Sequence, residues 1–436
     1  MDTEAETMVD TCLHDLAAIV GAEHARQAPA PAGPAGSHAP VVVEPGTVAE
    51  VGAVMALAQR QRWRACPRGS GSKLDWGTAP YDCDLVVCTT RLNRLLEHAA
   101  DDLIVRVEAG ITLDALQRAL AASGQMLALN PPGAGATIGG ILATNASGYR
   151  RQRYGTARDL IIGITVVLAD GTVAKAGGKV VKNVAGYDLS KLFTGSLGTL
   201  GIIVEAAFRL HPRASERRTV ILPLQSPVDA AAAIQTLRGS RASLVYDALE
   251  LQWTAAGGRL VALFEGTEPG VVAQANEALA LLASIGPAQV VTGEQEDALW
   301  NALDRWPWQQ PAAGDLQIGV KVTVPPAAAG AALQAMLQFA DAYGASHEVV
   351  CHAGVGVLLL GAGAGSPEPL AGLISALRDF VAGDGGSVVV LSTPSEVTLA
   401  VDRWGPVADA LPLMHRVKNE FDPLGLLNPG RYVGGI

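Results

Sequence analysis

The stretch that decides the fold is residues 130–148, which read NPPGAGATIGGILATNASG. Five of these residues are glycine, and each glycine inside a helix or strand destabilises that element by up to about 1 kcal/mol. A cofactor lying flat against bare backbone would offset this loss. Thr137, Asn145 and Ser147 would then supply hydrogen bonds from the wall. A glycine-rich bend within a core is the alternative.

A second glycine-rich stretch lies upstream at residues 68–73, which read RGSGSK. Small residues let successive backbone N–H groups turn toward one point and hold an anion such as a phosphate. The stretch is neither a G-x-G-x-x-G dinucleotide fingerprint nor a Walker A loop. By itself it predicts either an anion-binding loop or an ordinary surface turn.

A third stretch is rich in arginine. Residues 150–159, RRQRYGTARD, place four arginines within nine positions of an acidic chain. They could neutralise a pyrophosphate, bind an acidic partner or pair with neighbouring carboxylates. For Arg150 and Arg151 we expect pairing with acidic side chains.

Length and charge restrict the class of protein. The chain has 436 residues and a net charge of −10, and one hydrophobic core stops growing at roughly 250–300 residues. We therefore expect at least two domains and no nucleic-acid partner. The five cysteines include no C-x-x-C pair, so we expect no metal centre held by cysteines, and we predict that Cys83 and Cys88 are buried, reduced thiols.

The N-terminus lacks a basic region before an apolar run, and no apolar run reaches about 18 residues. We therefore expect no signal peptide and no transmembrane helix. The expected location is the cytoplasm, either free or held at the inner membrane through partner proteins.

The predicted elements divide the chain into four parts. Residues 1–40 hold a short helix and an Ala/Pro/Gly linker, and residues 41–213 carry the glycine-rich stretches between strands and helices. Residues 214–400 alternate strands and helices in another order, and residues 401–436 return to loops and one helix. The predicted fold class is α+β.

Residues 214–400 are predicted to form a cap domain made of two ferredoxin-like units, each β-α-β-β-α-β, with helices on one face of a shared sheet. In the first unit we predict helices at 227–238 and 270–285 and strands near 243–250, 258–264 and 288–292. In the second we predict strands at 316–324, 346–352, 355–361 and 387–392 and helices at 327–343 and 369–383.

Four motifs occur in one order along the chain: RGSGSKLDWG (68–77), ATIGGILATNASG (136–148), RYGTARDL through GSLGTLGII (153–203) and FDPLGLLNPGRY (421–432). Together they resemble the FAD-linked 2-hydroxy-acid oxidases, a glycolate oxidase and D-lactate dehydrogenase group within the vanillyl-alcohol-oxidase-like superfamily. The resemblance is strong over residues 40–213, moderate in the tail, and limited to layout in the cap. It implies a two-subdomain PCMH-type FAD-binding domain at residues 41–213.

The resemblance also implies which residues contact FAD. The 68–72 loop would bind the pyrophosphate, the 137–148 segment would line the flavin, Gly201 and Ile203 would meet the adenine half, and Asn428 would lie near the isoalloxazine ring. The full candidate set is Arg68, Gly69, Ser70, Gly71, Ser72, Thr137, Gly139, Gly140, Asn145, Ser147, Gly148, Gly201, Ile203 and Asn428.

Two further points follow from the resemblance. Lys179 and Lys182 would be either charges near the cofactor or solvated surface lysines. Ser72 stands where some relatives carry a histidine bound covalently to FAD, so we expect FAD to be held non-covalently.

The cap departs from the family pattern. Catalytic members carry H-x-G-D-G-N-x-H, whose histidines hold a metal, whereas residues 352–359 here read HAGVGVLL. Valine and leucine at the Asp, Asn and second His positions (Val355, Val357 and Leu359) supply no ligand, so no metal is expected. His347 would point to the opposite face of a strand. His352 is therefore expected to be a core histidine and is only a weak candidate for a catalytic residue.

The glutamate of the family motif GSEGTLG is also replaced, by Leu197. In both departures the chain resembles the FAD-binding E subunits of bacterial glycolate oxidases. Oxidation of a 2-hydroxy acid needs a hydride acceptor, a base for the hydroxyl proton and a cationic group for the carboxylate. The sequence supplies the first clearly and the other two weakly.

The expected function is therefore that of an FAD-binding subunit in a glycolate oxidase-like complex that converts glycolate to glyoxylate. The resemblance implies a catalytic D-type flavoprotein partner and an iron–sulfur F-type subunit that accepts the electrons. Two alternatives stay open: a stand-alone FAD-dependent 2-hydroxy-acid or alcohol dehydrogenase, and a non-catalytic assembly subunit that holds flavin.

Overall fold

The structure, a computed structural model, describes residues 12–28, 40–78, 83–178, 187–240, 244–308, 315–398, 401–407 and 409–436. Lys179 and Lys182 lie outside these ranges. Within them, sheets of four, five, two and eight strands combine with helices. This arrangement confirms the predicted α+β class.

A four-stranded sheet forms the N-terminal part. Its elements are α1 (residues 12–20), β1 (Ala25–Gln27), β2 (Val41–Val43), α2 (Val48–Gln61), β3 (Ala65–Arg68) and β4 (Leu85–Cys88). The strand order is β1-β2-β4-β3. Strands β2, β4 and β3 run parallel, and β1 is antiparallel to β2.

Helix α2 shows how the sequence places these elements. Thr47 Oγ1 accepts a hydrogen bond from the Glu50 N–H, so the helix begins where the sequence predicts. The Glu50 carboxylate, however, accepts from the Gly46 N–H instead of closing a reciprocal capping box with Thr47. The apolar face through Val51 and Met55 is fully buried against the sheet.

A five-stranded antiparallel sheet follows. Its strands, with a small pair beside them, are β5 (Leu95–Ala99), β6 (Ile104–Glu108), β7 (Gln125–Met126), β8 (Ile161–Val167), β9 (Val173–Gly177), β10 (Ile202–Arg209) and β11 (His211–Pro212). The helices are α3 (Leu113–Ala121), α4 (Ile138–Thr144), α5 (Arg151–Tyr154), α6 (Ala157–Leu160) and α7 (Leu189–Phe193). The order is β5-β6-β10-β8-β9, and β7 pairs with β11. Strand β5 was not predicted, because its residues are only partly buried and show no apolar alternation.

The cap contains one eight-stranded antiparallel sheet. Its strands are β12 (Glu216–Leu224), β13 (Ala248–Thr254), β14 (Gly257–Gly266), β15 (Gln289–Val291), β16 (Leu316–Thr323), β17 (Ser346–His352), β18 (Val357–Ala364) and β19 (Ser387–Ser392). Its helices are α8 (Pro227–Gly239), α9 (Glu268–Leu282), α10 (Gly293–Leu303), α11 (Ala329–Ala342) and α12 (Pro367–Ala382). Strand β12 and helix α10 were absent from the sequence prediction.

The cap sheet confirms the predicted duplication. Its order is β15-β12-β14-β13-β17-β18-β16-β19, so each β-α-β-β-α-β unit has its fourth strand at the edge, followed by its first, third and second. The second strands of the two units, β13 and β17, pair antiparallel and join the halves. Helices α8, α9, α11 and α12 pack on one face through alternate residues such as Leu249, Leu251 and Leu358.

The C-terminal segment returns to the first sheet. It contains α13 (Ser395–Thr398) and α14 (Leu411–Phe421). The Ala65 N–H donates to the Leu426 carbonyl (2.7 Å) and the Asn428 N–H donates to the Ala65 carbonyl (3.0 Å). The tail therefore extends the sheet beside β3. The predicted boundaries at residues 40, 213 and 400 stay predictions.

Short 3₁₀ helices occupy Ala22–His24, Pro326–Ala328 and Val433–Gly435. Among the helices that the structure describes, none has the length and apolar character needed to cross a bilayer.

Candidate active site

A cleft opens where β3 ends, next to α4 and the start of β10. It is lined by residues 67–74, Thr89, Thr137, Gly139, Gly140, Ala143, Thr144, Leu197, Gly198, residues 201–203 and Arg431. Ten of the fourteen predicted cofactor residues lie here: residues 68–72, Thr137, Gly139, Gly140, Gly201 and Ile203. The structure therefore brings the two glycine-rich stretches of the sequence together.

The first turn of α4 presents bare backbone to the cleft. Thr137 caps this turn, because its Oγ1 accepts from the Gly140 N–H (3.3 Å). A Cβ built on Gly140 would meet only Thr137 Oγ1, at 3.2 Å, so a larger side chain would enter the cleft. Gly139 is required for another reason: its N–H donates to the Ala109 carbonyl (2.7 Å), and a Cβ would press on Ala109.

Positive charge surrounds the cleft. Arg68, Lys73 and Arg431 all line it. Lys73 is buried beside the loop, and this burial lowers the pKa of its ammonium to about 8. Its Nζ donates to Ser72 Oγ (3.3 Å). Lys73 and Arg431 were not among the predicted site residues.

Arg431 connects the tail to the first loop. Its Nη2 donates to the carbonyls of Lys73, Leu74 and Trp76 at 3.1–3.2 Å. Its Nε and Nη1 have no hydrogen-bond partner among the described residues, although the side chain is 4% exposed. A buried cation with unpaired donors beside a bare-backbone cleft fits an anionic, flat cofactor.

The remaining predicted residues lie elsewhere. Asn145 ends α4 in the left-handed conformation (φ 47°) and accepts from the Arg158 N–H through its side chain. Asn145 and Ser147 line a neighbouring cavity. Neither Gly148 nor Asn428 is among the described residues that line the cleft or that cavity. Gly148 packs against Asn130, which leaves no room for a Cβ.

Asn428 does not line either pocket but supports a residue that does. Its Nδ2 donates to the Leu197 carbonyl (2.7 Å), and Leu197 lines both the cleft and the cavity. A buried ion pair fixes this region: Lys418 Nζ donates to Asp422 (2.7 Å), the Thr199 carbonyl (2.7 Å) and the Leu427 carbonyl (2.9 Å). The tail thereby holds in place the turn that contains Leu197, called the Leu197 turn below.

The neighbouring cavity measures about 230 Å³ and lies between α4–α5 and the cap sheet. It is lined by Trp76, Gly77, residues 144–147, Arg151, Gly195, Leu197, Trp306, Lys321, His352, Val357, Leu359, Val389, Leu391, Trp404 and Tyr432. Thr144 and Leu197 also line the cleft, so the two pockets adjoin.

Helix α10 determines which cap unit carries the cavity. On the first unit, Leu299 and Trp300 of this helix cover the sheet face opposite the other cap helices. Trp300 Nε1 donates to Thr219 Oγ1 (2.9 Å), and the Tyr149 ring packs against Trp300 at a tilt of 46° with ring centroids 4.3 Å apart. The corresponding face of the second unit borders the cavity.

A buried histidine–carboxylate pair lies at the junction of the two units. His352 on β17 and Glu250 on β13 are opposite each other in the register. His352 Nδ1 donates to Glu250 Oε2 (2.7 Å), while His352 Nε2 has no hydrogen-bond partner among the described residues. Burial raises the pKa of Glu250, and His352 and Arg151 oppose that rise. The expectation of a satisfied core histidine was therefore wrong for Nε2, which is buried and unpaired among the described residues, and His352 also lines the cavity.

Two cations complete the polar side of the cavity. Burial, together with the nearby charge of Arg151, lowers the pKa of Lys321 to about 8. Arg150 forms the predicted ion pair, with both guanidinium nitrogens on Glu265 at 2.8 and 2.9 Å. Arg151 forms no ion pair with the described residues and lines the cavity instead. The expectation of acid pairing for Arg151 was wrong.

Two residues in or beside the cavity that the sequence prediction missed had a readable signal. Glu250 and Lys321 are charged residues at alternate positions of otherwise apolar strands, ALELQWT and LQIGVKVT. Their neighbours pack under the cap helices, so period-2 alternation sends these two side chains to the other face. Arg151 had no such signal, because its short helix carries polar residues throughout.

Two family models and several known proteins match parts of this chain. Residues 39–177 match a family described as FAD binding domain, and residues 404–432 match FAD linked oxidases, C-terminal domain. A glycolate oxidase subunit, GlcD, of Bacillus subtilis is 40% identical over 193 residues, which is 44% of this chain and 41% of that relative. The chain thus matches less than half of GlcD.

Two other proteins match over nearly the whole chain. A D-lactate dehydrogenase of Archaeoglobus fulgidus is 28% identical over 90% of this chain and 91% of that relative. The structure of p-cresol methylhydroxylase with substrate bound superposes with a TM-score of 0.74 at 18% identity, covering 97% of this chain and 96% of that one. The latter shows the shared PCMH-type fold.

The fold and the cleft define a flavoprotein with FAD as its cofactor. The chain carries an FAD-binding domain and the C-terminal domain of FAD-linked oxidases, and it is similar to a glycolate oxidase subunit and to a D-lactate dehydrogenase.

Proposed function

We propose that this chain oxidises a small 2-hydroxy acid in the cavity beside the cleft, as the FAD-binding subunit of a glycolate oxidase-like complex. The observation that carries the proposal is that two cations, Arg151 and Lys321, line the same cavity as His352, whose buried Nε2 has no hydrogen-bond partner among the described residues. FAD supplies, when bound, the acceptor for the hydrogen and two electrons that leave the substrate carbon.

The cofactor itself would be held in the cleft. Arg68, Lys73 and Arg431 would offset the pyrophosphate charge, and the bare backbone at Gly140 would admit the cofactor closely. No histidine, cysteine or tyrosine is among the described residues that line the cleft, which supports non-covalent binding. The other residues predicted to contact FAD keep that role as part of this proposal.

The substrate would be oriented by charge. Arg151 and Lys321 would bind the carboxylate, because charge-assisted hydrogen bonds are the stronger kind and gain strength where water is excluded. The substrate hydroxyl would then face His352. Apolar and aromatic side chains, such as those of Leu391 and Trp306, form much of the wall of this space.

His352 would act as the base. With Nδ1 donating to the Glu250 carboxylate, the lone pair of the neutral ring would be on Nε2, which has no hydrogen-bond partner among the described residues. Nε2 would take the hydroxyl proton, and Glu250 would stabilise the resulting imidazolium, as the carboxylate does in a serine hydrolase triad. The C2–H and O–H bonds break, a C=O bond forms, and the product is a 2-oxo acid.

The assembly is also part of the proposal. The matching B. subtilis relative is named as a subunit, and the five cysteines of this chain contain no C-x-x-C pair. These points support a D-type flavoprotein partner and an iron–sulfur F-type subunit as electron acceptor. Cytoplasmic location stays a prediction. Iron and acid-labile sulfide in the complex purified through a tag on this chain would support the assembly.

The deciding experiment is an anaerobic visible spectrum of the purified, flavinated chain before and after addition of 2-hydroxy acids, with glycolate and D-lactate first. Bleaching of the flavin band is the expected result. If the spectrum stays oxidised with every 2-hydroxy acid while FAD remains bound, this chain does not oxidise the acid, and the flavin-holding assembly role replaces our proposal.

The second candidate function is a stand-alone dehydrogenase. It is favoured by one observation: the cations and the histidine that the chemistry needs all come from this single chain. Stand-alone function predicts that the chain purifies from its own cells without iron–sulfur protein and still turns over with a soluble dye as electron acceptor.

A further inference from the structure

The cap side of the cavity is mostly apolar. Trp306, Val357, Leu359, Val389 and Leu391 line it there. Val357 and Leu359 are only 3% and 4% exposed. We infer that the acid oxidised here carries an apolar side chain of several carbons, as in 2-hydroxy-4-methylpentanoate, an inference that rests on the proposed function.

The register of the cap sheet places the apolar wall against the polar groups. Lys321 lies opposite Leu359 on one side and Val389 on the other, and His352 lies opposite Val357. Strand β18 runs between the strands that carry Lys321 and His352. Directly opposed side chains on one face of a sheet are about 5 Å apart. An acid that reaches both polar groups therefore lies across Val357 and Leu359.

The lining of the cavity supports the same conclusion. Its volume of about 230 Å³ would be shared with the part of FAD that Asn145 and Ser147 contact, so the apolar wall, and not the volume, selects the acid. Glycolate has no side chain, so apolar wall would still face water when its carboxylate and hydroxyl are bound. A branched aliphatic chain would cover that wall, and one methylene in a hydrophobic pocket changes specificity by about 10-fold or more.

An apolar substrate also explains why valine and leucine stand at positions of the H-x-G-D-G-N-x-H motif that are polar in catalytic members of the group. Val357 and Leu359 stand where catalytic members of the resembling group carry polar residues. In this structure they form the part of the wall between the His352 and Lys321 strands. The wall is thus a surface for substrate and not merely the remnant of a ligand site.

The test compares carboxylates that bind but cannot be oxidised. Acetate and 4-methylpentanoate are titrated into the full flavinated chain, and the dissociation constants are read from the change in flavin absorbance. We expect 4-methylpentanoate to bind at least about 10-fold more tightly. The kcat/KM for the preferred enantiomer of 2-hydroxy-4-methylpentanoate should exceed that for glycolate by a similar factor.

Variants refine the test. Leu359→Asn should weaken 4-methylpentanoate binding about tenfold more than acetate binding, because it places a polar side chain of similar volume in the apolar wall. Val290→Asn is the matched control, since Val290 is 37% exposed on edge strand β15 of the other unit, and it should change neither constant.

The outcomes separate this inference from the proposed function. If glycolate reduces the flavin and acetate binds as tightly as 4-methylpentanoate, the proposed function stands and the apolar-substrate inference is overturned. If neither carboxylate perturbs the flavin and no 2-hydroxy acid reduces it, both fail together.

Discussion

The cleft and the cavity adjoin at Thr144 and Leu197 but are built by different means. The cleft is formed largely by the backbone of glycine-rich segments in the FAD-binding half, closed by Arg431 from the tail. The cavity combines residues of the FAD-binding half and the tail with side chains from α5 and from separate cap strands, and its charged groups come from α5 and the cap strands. A backbone surface depends on which residues lack a side chain, whereas a side-chain surface depends on strand register. The two pockets should therefore respond differently to substitution.

Gly140→Val should have the largest effect, and it should abolish FAD binding in the cleft without altering the cavity. The new side chain would enter the cleft, because a Cβ at Gly140 meets only Thr137. We expect essentially apoprotein with native far-UV circular dichroism, measured by the ratio of flavin to protein absorbance. Gly239→Val, on an exposed glycine with nothing near its Cβ position, is the control. A fully flavinated Gly140→Val protein would show that the cofactor does not lie there.

His352→Gln should leave the cleft intact and disable the cavity. Loss of a general base typically costs about 10²- to 10⁴-fold in rate, so flavin reduction by a 2-hydroxy acid should slow by that factor at unchanged FAD content. His347→Gln is the matched control, because His347 is on the same strand and the opposite face. Equal reduction rates in both variants, measured by anaerobic stopped flow, would remove His352 from the mechanism.

Asp422→Ala should disturb both pockets through their shared wall. It leaves the buried Lys418 ammonium without its carboxylate and removes acceptors for the Leu426 and Leu427 N–H groups. Breaking a buried ion pair costs about 3–5 kcal/mol, so the denaturant midpoint for flavin release should fall. Glu420→Ala, exposed on the same helix, should have little effect. An unchanged midpoint for Asp422→Ala would mean that the tail does not support the Leu197 turn.

Lys321→Met should have the smallest effect of the four substitutions, and the effect should be a weaker affinity for the substrate. The pKa of Lys321 is lowered to about 8, so its ammonium is charged below pH 8 and loses its proton as the pH rises through that value. Carboxylate binding should weaken above pH 8 in the wild type. Lys321→Met should bind about 10-fold more weakly at pH 7 and should lack this pH dependence. Lys321→Arg should retain tight binding at pH 9. Identical pH profiles in all three proteins would exclude Lys321 from carboxylate binding.

Much of the fold could be predicted from sequence because its signals are local. The start of α2 at Thr47, strand β17 at Ser346–His352 and strand β19 at Ser387–Ser392 follow the sequence patterns. Strand β12 and helix α10 were missed. Strand β12 has mixed polarity in its first half, and α10 carries acidic residues that tertiary contacts bury, such as Glu296.

The residues of the candidate site also divide into those that local sequence signals could identify and those that they could not. Gly69, Thr137 and Gly140 could be found from sequence, because a bare-backbone wall needs glycine and a cap at defined positions in one short segment. Glu250 and Lys321 could not be assigned a role, because each acquires one only from residues far away in sequence. Glu250 meets His352 across 102 positions.

The α+β architecture and the duplicated cap could be predicted from the sequence by itself, since each rests on residue type and periodicity within short stretches, and the resemblance of four ordered motifs to a known family implied FAD. The tertiary structure decided that α10 covers one cap unit and leaves the other facing the cofactor side. It also decided that Arg151, Lys321 and His352 share a cavity and that Arg431 closes the cleft. Such placements depend on sheet register and on the return of the tail beside β3, and neither is encoded in any single segment of the chain.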